Sequence, residues 1–305
     1  LETWDEWSDN PQFIEDVMLF LDNVLQDFID RAPEDMERAK YAAMRERSVG
    51  LGVMGFHSFL QAKNVPFESV IAKVWNRKIF KHIREQADAA SRHLADLRGA
   101  CPDAEEYGVK ERFSNKMAIA PTASISIIAG NASPGIEPIA ANVFLQKTLS
   151  GSFTVRNRHL QKLLEEKGQD TPEVWSSITT SKGSVQHLDF LTQQEKDVYK
   201  TAFELDQRWV VEHAADRQPF ICQAQSVNLF LPADVHKRDL HQIHYQAWKK
   251  GLKSLYYCRS LSIQRADTVS NVLSKSEVLG AGVAEQAAAE HAAVGNNYDE
   301  CLACQ

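Results

Sequence analysis

The chain has 305 residues, of which 44% are hydrophobic and 25% charged, and this composition is typical of a folded globular protein and excludes a disordered or fibrous one. The 34 Lys and Arg residues are outnumbered by 41 Asp and Glu, so the net charge is −7, and without a long basic run we expect no nucleic-acid partner. The five cysteines are mostly scattered and do not form a disulfide framework.

The first predicted element is an amphipathic helix that begins at Asn10 and Pro11 and continues as an apolar stripe to Phe28. A second long helix is predicted from about residue 68 to about residue 97. Its predicted core-facing residues include Val70, Val74, Ile79 and Ile83. The N-terminus lacks the basic and apolar regions of an export signal, which favours the cytoplasm. Because the first residue is Leu1 rather than Met, we expect a fragment or one product of a split gene.

Three glycines between these helices have the spacing of a dinucleotide-binding fingerprint, at Gly50, Gly52 and Gly55. A true fingerprint follows an apolar strand, whereas the residues just upstream are charged and helical in pattern. The sequence therefore favours glycines that allow close backbone packing in a strand.

Short apolar runs rich in Ile, Ser and Thr predict buried strands at 117–128 and 138–145. Helical patterns follow at about 193–216 and 239–250, and a strand-like run follows the second of these at 252–259. Because strands alternate with helices, the sequence predicts an α/β barrel or sheet.

Small and hydroxyl residues interrupt the first of these strands at Ala120-Pro-Thr-Ala-Ser-Ile-Ser126. A strand that breaks at proline can turn its amides and hydroxyls toward an anion such as phosphate. Taken alone, the pattern favours an ordinary strand end rich in serine and threonine. Glu137 is compatible with a buried acid and with a loop carboxylate. Residues 117–136 contain no charged side chain and are long enough to span a membrane. Their prolines and polar residues exclude a lipid-facing helix, so we expect no membrane partner.

Two adjacent tyrosines, Tyr256 and Tyr257, lie in the last predicted strand, where successive side chains normally point to opposite faces. One interpretation is core packing with a satisfied hydroxyl. The other is a radical relay, because a tyrosine that loses an electron together with its phenolic proton avoids a buried charge.

The clearest local signal is a cysteine pair, Cys301 and Cys304, in an Ala-rich, aromatic-poor terminal segment that we predict to be a mobile tail. Such a pair can close a disulfide and exchange it with another thiol pair. A zinc site needs four ligands, and only His291 is near in sequence, so redox exchange is favoured. The remaining thiols, predicted to be small buried hydrophobic residues, are Cys101, Cys222 and Cys258.

Five motifs together resemble the C-terminal part of the large (alpha) subunit of class I ribonucleoside-diphosphate reductase, and the resemblance covers nearly the whole chain. The motifs are Arg47-Ser-Val-Gly-Leu-Gly-Val-Met-Gly-Phe56, the 120–126 segment with Gly135-Ile-Glu-Pro138, Thr148-Leu-Ser-Gly-Ser-Phe153, Lys253-Ser-Leu-Tyr-Tyr257 and the terminal cysteine pair.

The resemblance implies an α/β fold in which residues 1–267 supply the second half of a ten-stranded α/β barrel made of two antiparallel five-stranded halves. Residues 268–305 would then be a mobile redox tail. The residues that this resemblance implies for binding the substrate diphosphate are Pro121, Thr122, Ala123, Ser124 and Ile125.

The same resemblance implies redox roles for two residue pairs. Tyr256 and Tyr257 would transfer the radical at the interface with a small (beta) subunit, which holds the metal-radical cofactor. Cys301 and Cys304 would re-reduce the active-site disulfide and accept electrons from thioredoxin or glutaredoxin. The chain itself is expected to bind no metal or other cofactor.

The sequence also departs from the family pattern. The Asn-x-Cys-x-Glu loop, the two cysteines oxidised by substrate and the N-terminal allosteric sites are not in it. We therefore expect the N-terminal portion of the large subunit to be a required partner for activity. Some family loops have an acidic residue where this chain has Ala123, which leaves contact there to the backbone. The alternatives are a fragment of a cobalamin-dependent ribonucleotide reductase and a non-catalytic nucleotide-binding scaffold.

Overall fold

Helices account for most of the regular structure in the computed structural model, which describes residues 1–148 and 151–260. The helices are α1 (Trp4–Trp7), α2 (Phe13–Arg31), α3 (Glu37–Glu46), α4 (Phe56–Ala62), α5 (Val70–Arg98), α6 (Pro102–Glu106), α7 (Ile125–Ile128), α8 (Arg158–Glu166), α9 (Pro172–Thr180), α10 (Gln193–Val198), α11 (Gln207–Arg217) and α12 (Lys237–Lys249). The strands are β1 (Val143–Thr148), β2 (Gly151–Arg156), β3 (Leu229–Leu231) and β4 (Cys258–Ser260). Single 3₁₀ turns lie at Glu34–Met36 and Gln218–Phe220.

Extended segments pair side by side and in parallel to form the frame of the fold. Leu51 pairs with Met117, and two residues further along Ile119 pairs with Gln225. Strand β3, which continues the segment of Gln225, pairs in parallel with β4. Parallel neighbours require crossover connections. The connection from Leu51 to Met117 contains α4 and α5, and the connection from β3 to β4 contains α12. This order of parallel segments and connecting helices agrees with the predicted α/β class.

The two long predicted helices are confirmed, with corrections to their details. Helix α2 begins at Phe13 rather than at Pro11, because the Asn10 side chain accepts a hydrogen bond from the Gln12 backbone N–H (3.0 Å) in a turn that precedes the helix. Helix α5 begins after Ser69, whose hydroxyl accepts from the Ala72 backbone N–H (3.1 Å) and caps the first turn.

The predicted core face of α5 is right for Ile79 and Ile83, which are buried, and wrong for Val70 and Val74, which are 71% and 61% exposed. The buried stripe runs instead through Asn76, whose side-chain amide donates to the His213 carbonyl (2.8 Å) on α11. Because a polar residue lies within the buried stripe, the hydrophobicity pattern alone predicts part of the wrong helix face. The other buried residues of this helix are Ala72, Phe80, Ala87, Ala90, Ser91, Leu94 and Ala95.

Close backbone packing at the glycines is confirmed at Gly52, and Gly50 packs closely against a side chain. A Cβ atom on Gly52 would lie 2.5 Å from the Ala118 carbonyl oxygen, and one on Gly50 would lie 3.2 Å from the Ala118 Cβ. Gly55 has a different role, because its φ of 79° places it in the left-handed region just before α4. The glycines therefore bring the first two extended segments together.

A buried carboxylate organises the region where α2, α3 and α5 meet. Asp22 is fully buried and accepts hydrogen bonds from Arg47 (2.6 Å), Arg98 (2.8 Å) and Arg112 (3.0 Å). Burial alone would raise the pKa of Asp22, but the hydrogen bonds from Arg112, Arg47 and Arg98 outweigh it and hold this pKa below its ordinary value. The cluster is a paired buried charge, which is costly to break.

Three other predicted elements differ in extent. The predicted helix 193–216 is two helices, α10 and α11, because Asp206 supplies a new N-cap by accepting from the Arg208 backbone N–H. The predicted strand 117–128 ends near Pro121 and continues as α7, and 138–145 is regular only from Val143. The predicted strand 252–259 is regular only in β4, and 239–250 is confirmed as α12.

Two hydrophobic cores support these elements. The larger packs α2, α4, α5 and α11 against the parallel segments. The smaller lies among β1, α8, α9 and α10 and is built around Leu160, Leu164 and Trp175. Within residues 1–148 and 151–260, no helix combines the length and the apolar character needed to cross a membrane. The predicted domain boundary at 267/268 lies outside the described residues.

Candidate functional site

The loop that follows the second extended segment is held in shape by its own hydroxyl groups. Ile119 ends the parallel pairing, and Pro121 follows with no backbone N–H to continue it. Thr122 has a φ of 55°, and its hydroxyl accepts a hydrogen bond from the Gly135 backbone N–H over 2.6 Å. The Ser126 hydroxyl donates to the Ala123 carbonyl (3.2 Å). The chain therefore turns back on itself directly after the strand.

Gly135 packs against this loop more closely than any side chain would allow. Its φ is 45°, and a Cβ atom there would lie 2.9 Å from the Ala120 carbonyl oxygen and 3.3 Å from that of Pro121. Both the left-handed backbone and the short contact select glycine. The turn at Asn131-Ala-Ser-Pro-Gly135, predicted from its composition, thus packs directly against the loop.

Backbone amides at the start of α7 are free to bind a ligand. The N–H groups of Ala123, Ser124 and Ile125 donate to no acceptor among the described residues. Ser124 and Ile125 are also exposed. Orphan amides of a first helical turn attract anions, and the Ser124 hydroxyl can add a hydrogen bond. The structure thus brings the predicted phosphate residues together on one loop.

Two cavities adjoin this loop. One, of about 270 Å³, is lined by Ala123 and Ser126 on the loop side and by Phe144 of β1 on the other. A smaller one, of about 130 Å³, is lined by Ala123, by the buried Glu137 and by the half-buried Arg259. This smaller cavity therefore lies next to both the loop, through Ala123, and strand β4, through Arg259.

Glu137 is a buried acid, which resolves the alternative that the sequence leaves open. It is 5% exposed, and its carboxylate accepts a hydrogen bond from the Asn228 side-chain amide. Burial raises the pKa of Glu137 to about 7, against the opposing effects of the Arg259 charge and the Asn228 hydrogen bond. Its protonation state is therefore sensitive to small changes near neutral pH.

The two tyrosines contact each other at the surface of the described residues. The ring centroids of Tyr256 and Tyr257 are 4.2 Å apart and their planes are inclined at 57°. Tyr256 is 48% exposed and Tyr257 is 38% exposed, which does not favour the core-packing interpretation. The prediction that the rings point to opposite faces is wrong, because regular strand geometry begins only at Cys258.

The backbone of the tyrosine pair is fixed to the neighbouring segment. The Tyr256 N–H donates to the Val227 carbonyl (2.9 Å), and the Tyr257 carbonyl accepts from the Leu229 N–H (2.9 Å). Between these two bonds the Tyr257 N–H donates to the Asn228 side-chain oxygen (2.9 Å). Arg259 places its guanidinium carbon 5.8 Å from the centroid of the Tyr257 ring.

Sequence reasoning missed Asn228 and Arg259. Asn228 lies in the apolar run Val227-Asn-Leu-Phe-Leu231, and a lone amide in a buried strand is a signal that it has a specific partner. Arg259 follows the tyrosine pair by two residues and gave no separate signal. Both become informative only when the fold brings Glu137 beside them.

The cysteine predictions have different outcomes. Cys101 is buried as predicted, and Cys222 is half-buried and accepts hydrogen bonds from the backbone N–H groups of Lys116 and Met117 (both 3.1 Å). Cys258 is exposed, so the prediction of burial is wrong there, because its strand lies at the edge of the described sheet. Cys301 and Cys304 lie outside the described residues. Among the described residues, no three His, Cys, Asp or Glu side chains form a metal-binding group.

A family model described as "Ribonucleotide reductase, barrel domain" matches residues 3–111 and 102–258. The chain is 52% identical over 275 residues to the ribonucleoside-diphosphate reductase large subunit of Invertebrate iridescent virus 6, covering 89% of this chain and 28% of that protein. It is 48% identical over 280 residues to the large subunit of Invertebrate iridescent virus 3, covering 91% of this chain and 44% of that protein.

Among solved structures, the class Id ribonucleotide reductase alpha subunit of Actinobacillus ureae superposes with a TM-score of 0.79 at 41% sequence identity. The match covers 88% of this chain and 49% of that one. The predicted fold class is thereby confirmed. The chain spans less than half the length of each of these relatives.

Proposed function

The chain belongs to the ribonucleotide reductase barrel family, and from this premise we propose that it forms part of the large subunit of a ribonucleoside-diphosphate reductase. Such an enzyme reduces ribonucleoside diphosphates to 2′-deoxyribonucleoside diphosphates by radical chemistry. The observation that carries the proposal is a small cavity lined both by Ala123 of the anion-competent loop and by Arg259, whose guanidinium carbon lies 5.8 Å from the ring centroid of Tyr257 in the contacting tyrosine pair.

The loop is proposed to bind the substrate diphosphate. Pro121 ends the strand and Thr122 folds the chain back, which leaves the amides of Ala123, Ser124 and Ile125, without acceptors among the described residues, available to the phosphate oxygens. Hydrogen bonds to a charged phosphate are stronger than neutral ones, which suits backbone amides and hydroxyls to this role. Since residue 123 has no side-chain oxygen, its contribution comes from the backbone.

Tyr256 and Tyr257 are proposed to transfer an oxidising equivalent. In each step one tyrosine loses an electron and its phenolic proton and becomes a neutral radical, while the acceptor radical gains both. Contact between the rings keeps the step between them short. A small subunit is the proposed partner, and its metal-radical cofactor would supply the initial oxidising equivalent. The exposure of both rings leaves them accessible to such a partner.

Cys301 and Cys304 are proposed to restore the reduced active site. Their two thiols would reduce a substrate-generated disulfide by exchange and would themselves become a disulfide. Thioredoxin or glutaredoxin would then return two electrons and two protons. Few and scattered cysteines elsewhere suit the reducing cytoplasm, which is the proposed compartment.

The N-terminal portion of the large subunit is a further proposed partner, because the Asn-x-Cys-x-Glu loop is not in this sequence. The test is reconstitution of this chain with that portion, a small subunit and a thioredoxin system, with deoxyribonucleoside diphosphate formation as the measurement. We expect turnover only when all components are present. Turnover that needs cobalamin instead of a small subunit would indicate the cobalamin-dependent enzyme, and no turnover with intact nucleotide binding would indicate a scaffold.

Within the same assay, Cys301→Ser or Cys304→Ser should abolish turnover driven by thioredoxin, with partial rescue by dithiothreitol. Equal loss with both reductants would indicate a structural role for the pair.

A further inference from the structure

A buried carboxylate is connected to the backbone of one tyrosine through a single side chain. Asn228 is fully buried, and its amide nitrogen donates to the Glu137 carboxylate. Its amide oxygen accepts from the Tyr257 backbone N–H over 2.9 Å. Neither the predicted phosphate contacts nor the predicted radical relay assigns a role to Glu137 or Asn228.

The two partners of Asn228 allow only one orientation of its amide. A backbone N–H can only donate, so it must face the oxygen of the Asn228 side chain, and the nitrogen then faces the carboxylate. Reversing the amide would place two donors together at Tyr257 and, when Glu137 is ionised, two acceptors together at Glu137. The Tyr257 N–H therefore sets which way the amide faces, and the hydrogen bond to the Glu137 carboxylate anchors the other end of the amide against the Tyr257 backbone.

The position of Asn228 gives this contact a specific effect. Its backbone neighbours already hold the segment on both sides, through the Tyr256 N–H to the Val227 carbonyl and the Leu229 N–H to the Tyr257 carbonyl. The Asn228 side chain acts between these two points, on Tyr257. The ring of Tyr257 contacts both Tyr256 and the Arg259 guanidinium. Arg259 and Glu137 both line the small cavity.

We propose that Glu137, acting through Asn228, is a positioning residue that holds Tyr257 in register for radical transfer. This inference rests on the proposed function, in which Tyr257 is a relay residue. Glu137 touches no reacting atom and acts only by fixing the amide. Transfer between two rings depends steeply on their geometry, and a misplacement of about 1 Å in a reacting group can cost about 100-fold in rate.

The first test reads the position directly and needs no turnover. In the full chain labelled with ¹⁵N-tyrosine, the amide exchange rate of Tyr257 is compared with that of Tyr256, whose acceptor is a backbone carbonyl. Asn228→Ala removes the acceptor of Tyr257 alone, and the loss of one hydrogen bond should speed exchange there by about tenfold. The Tyr256 rate should stay unchanged. Equal Tyr257 rates in parent and variant would overturn the inference.

A compensating pair of substitutions tests the role of the carboxylate. Asn228→Asp alone places two carboxylates face to face in a buried site, so Tyr257 exchange should rise. In the double variant Asn228→Asp with Glu137→Gln, the new amide donates to the new carboxylate, which still accepts from Tyr257. Exchange should then return toward the parent value. If Tyr257 exchange were as fast in the double variant as in Asn228→Asp, control by residue 137 would be excluded. Should Asn228→Asp not fold, Glu137→Ala, which removes the partner of the amide, replaces it and should speed Tyr257 exchange alone.

The catalytic consequence is measured in the reconstituted complex. We expect kcat to fall about 10- to 100-fold in Asn228→Ala while the KM for the nucleoside diphosphate stays the same, because the loop does not contact Asn228. Unchanged kcat in an active complex would overturn the inference but leave the proposed function intact. An inactive parent complex would overturn the proposed function, and the exchange results would still decide whether Asn228 holds Tyr257.

Discussion

The backbone N–H of Gly135 donates a hydrogen bond to the Thr122 hydroxyl over 2.6 Å, and this contact joins the proposed diphosphate loop to the turn that packs against it. The Thr122 oxygen accepts from Gly135 and retains its own proton, so it can still donate to a ligand. One hydroxyl therefore serves both the shape of the loop and its proposed chemistry.

The loop hydroxyls give the first prediction. Replacing both Thr122 and Ser124 by Ala should weaken diphosphate binding by about 1.5–3 kcal/mol for each charge-assisted hydrogen bond lost. The measurement is the KM for the nucleoside diphosphate in the reconstituted enzyme. Thr122→Ser, which keeps the hydroxyl, and Ser152→Ala, which changes an exposed serine on β2, are the controls and should leave KM near the parent value. An unchanged KM in the double variant would contradict the assignment.

The second prediction concerns Gly135. Gly135→Ala should lower the free energy of unfolding by about 1–3 kcal/mol, because it places a Cβ atom 2.9 Å from the Ala120 carbonyl at a left-handed φ of 45°. Gly168→Ala is the matched control, since its φ of 66° carries the same backbone cost with nothing within 4 Å of the added atom. Urea titration measures both. Equal losses would show that the contact with the loop contributes nothing.

The Asp22 cluster gives a prediction about pH. Asp22→Asn removes the charge that pairs Arg47, Arg98 and Arg112, and leaving buried charge unpaired costs about 3–5 kcal/mol. The pKa of Asp22 is held below 3.8, so its stabilising effect is full above that pH and is lost as the pH falls through the lower, folded-state value. The difference between parent and variant should therefore shrink in strong acid. Asp27→Asn, at an exposed pair with Arg31, should change stability by less than about 1 kcal/mol.

The effect of Glu137 on stability has the opposite dependence on pH. Burial raises its pKa to about 7 from 4.5, so the folded state binds the proton more tightly than the unfolded state. The parent should then lose stability relative to Glu137→Gln as the pH rises from about 4.5 to about 7, by about 3 kcal/mol at most. Arg259 faces this carboxylate, and its charge reduces the effect. Urea titrations at pH 4.5 and pH 8 measure it, and a constant difference between the two proteins would contradict the raised pKa.

The sequence predicted the long helices because their periodicity is strong, and local composition and family motifs singled out the proposed phosphate loop and the tyrosine pair. It did not predict Asn228 as a site residue, because a side chain that joins Glu137 to Tyr257 acts across 91 and 29 residues of sequence. Nor did it predict the exposure of Val70 and Val74, since the buried stripe of α5 includes the polar Asn76. Long-range pairing of polar groups leaves little trace in a local pattern.

The last prediction separates a relay from packing at Tyr256 and Tyr257. Tyr→Phe keeps the ring and deletes only the hydroxyl, so a packing role predicts a stability change of about 0.5–1.5 kcal/mol and near-normal activity. A relay predicts near-complete loss of turnover, because phenylalanine has no phenolic proton to give up and is much harder to oxidise. The exposure of both rings makes a large stability effect unexpected in either case.

The measurement is turnover of the reconstituted enzyme with each Phe variant, beside its affinity for the nucleoside diphosphate and for the small subunit. Both affinities should survive, because the ring that a partner would contact is retained. Tyr245→Phe on α12 is the matched control, since this tyrosine is 50% exposed and lies outside the proposed relay. It should leave turnover unchanged. An active Tyr256→Phe or Tyr257→Phe enzyme would exclude the relay and would favour the cobalamin-dependent or non-catalytic alternatives, because neither of those needs an oxidisable pair at this surface.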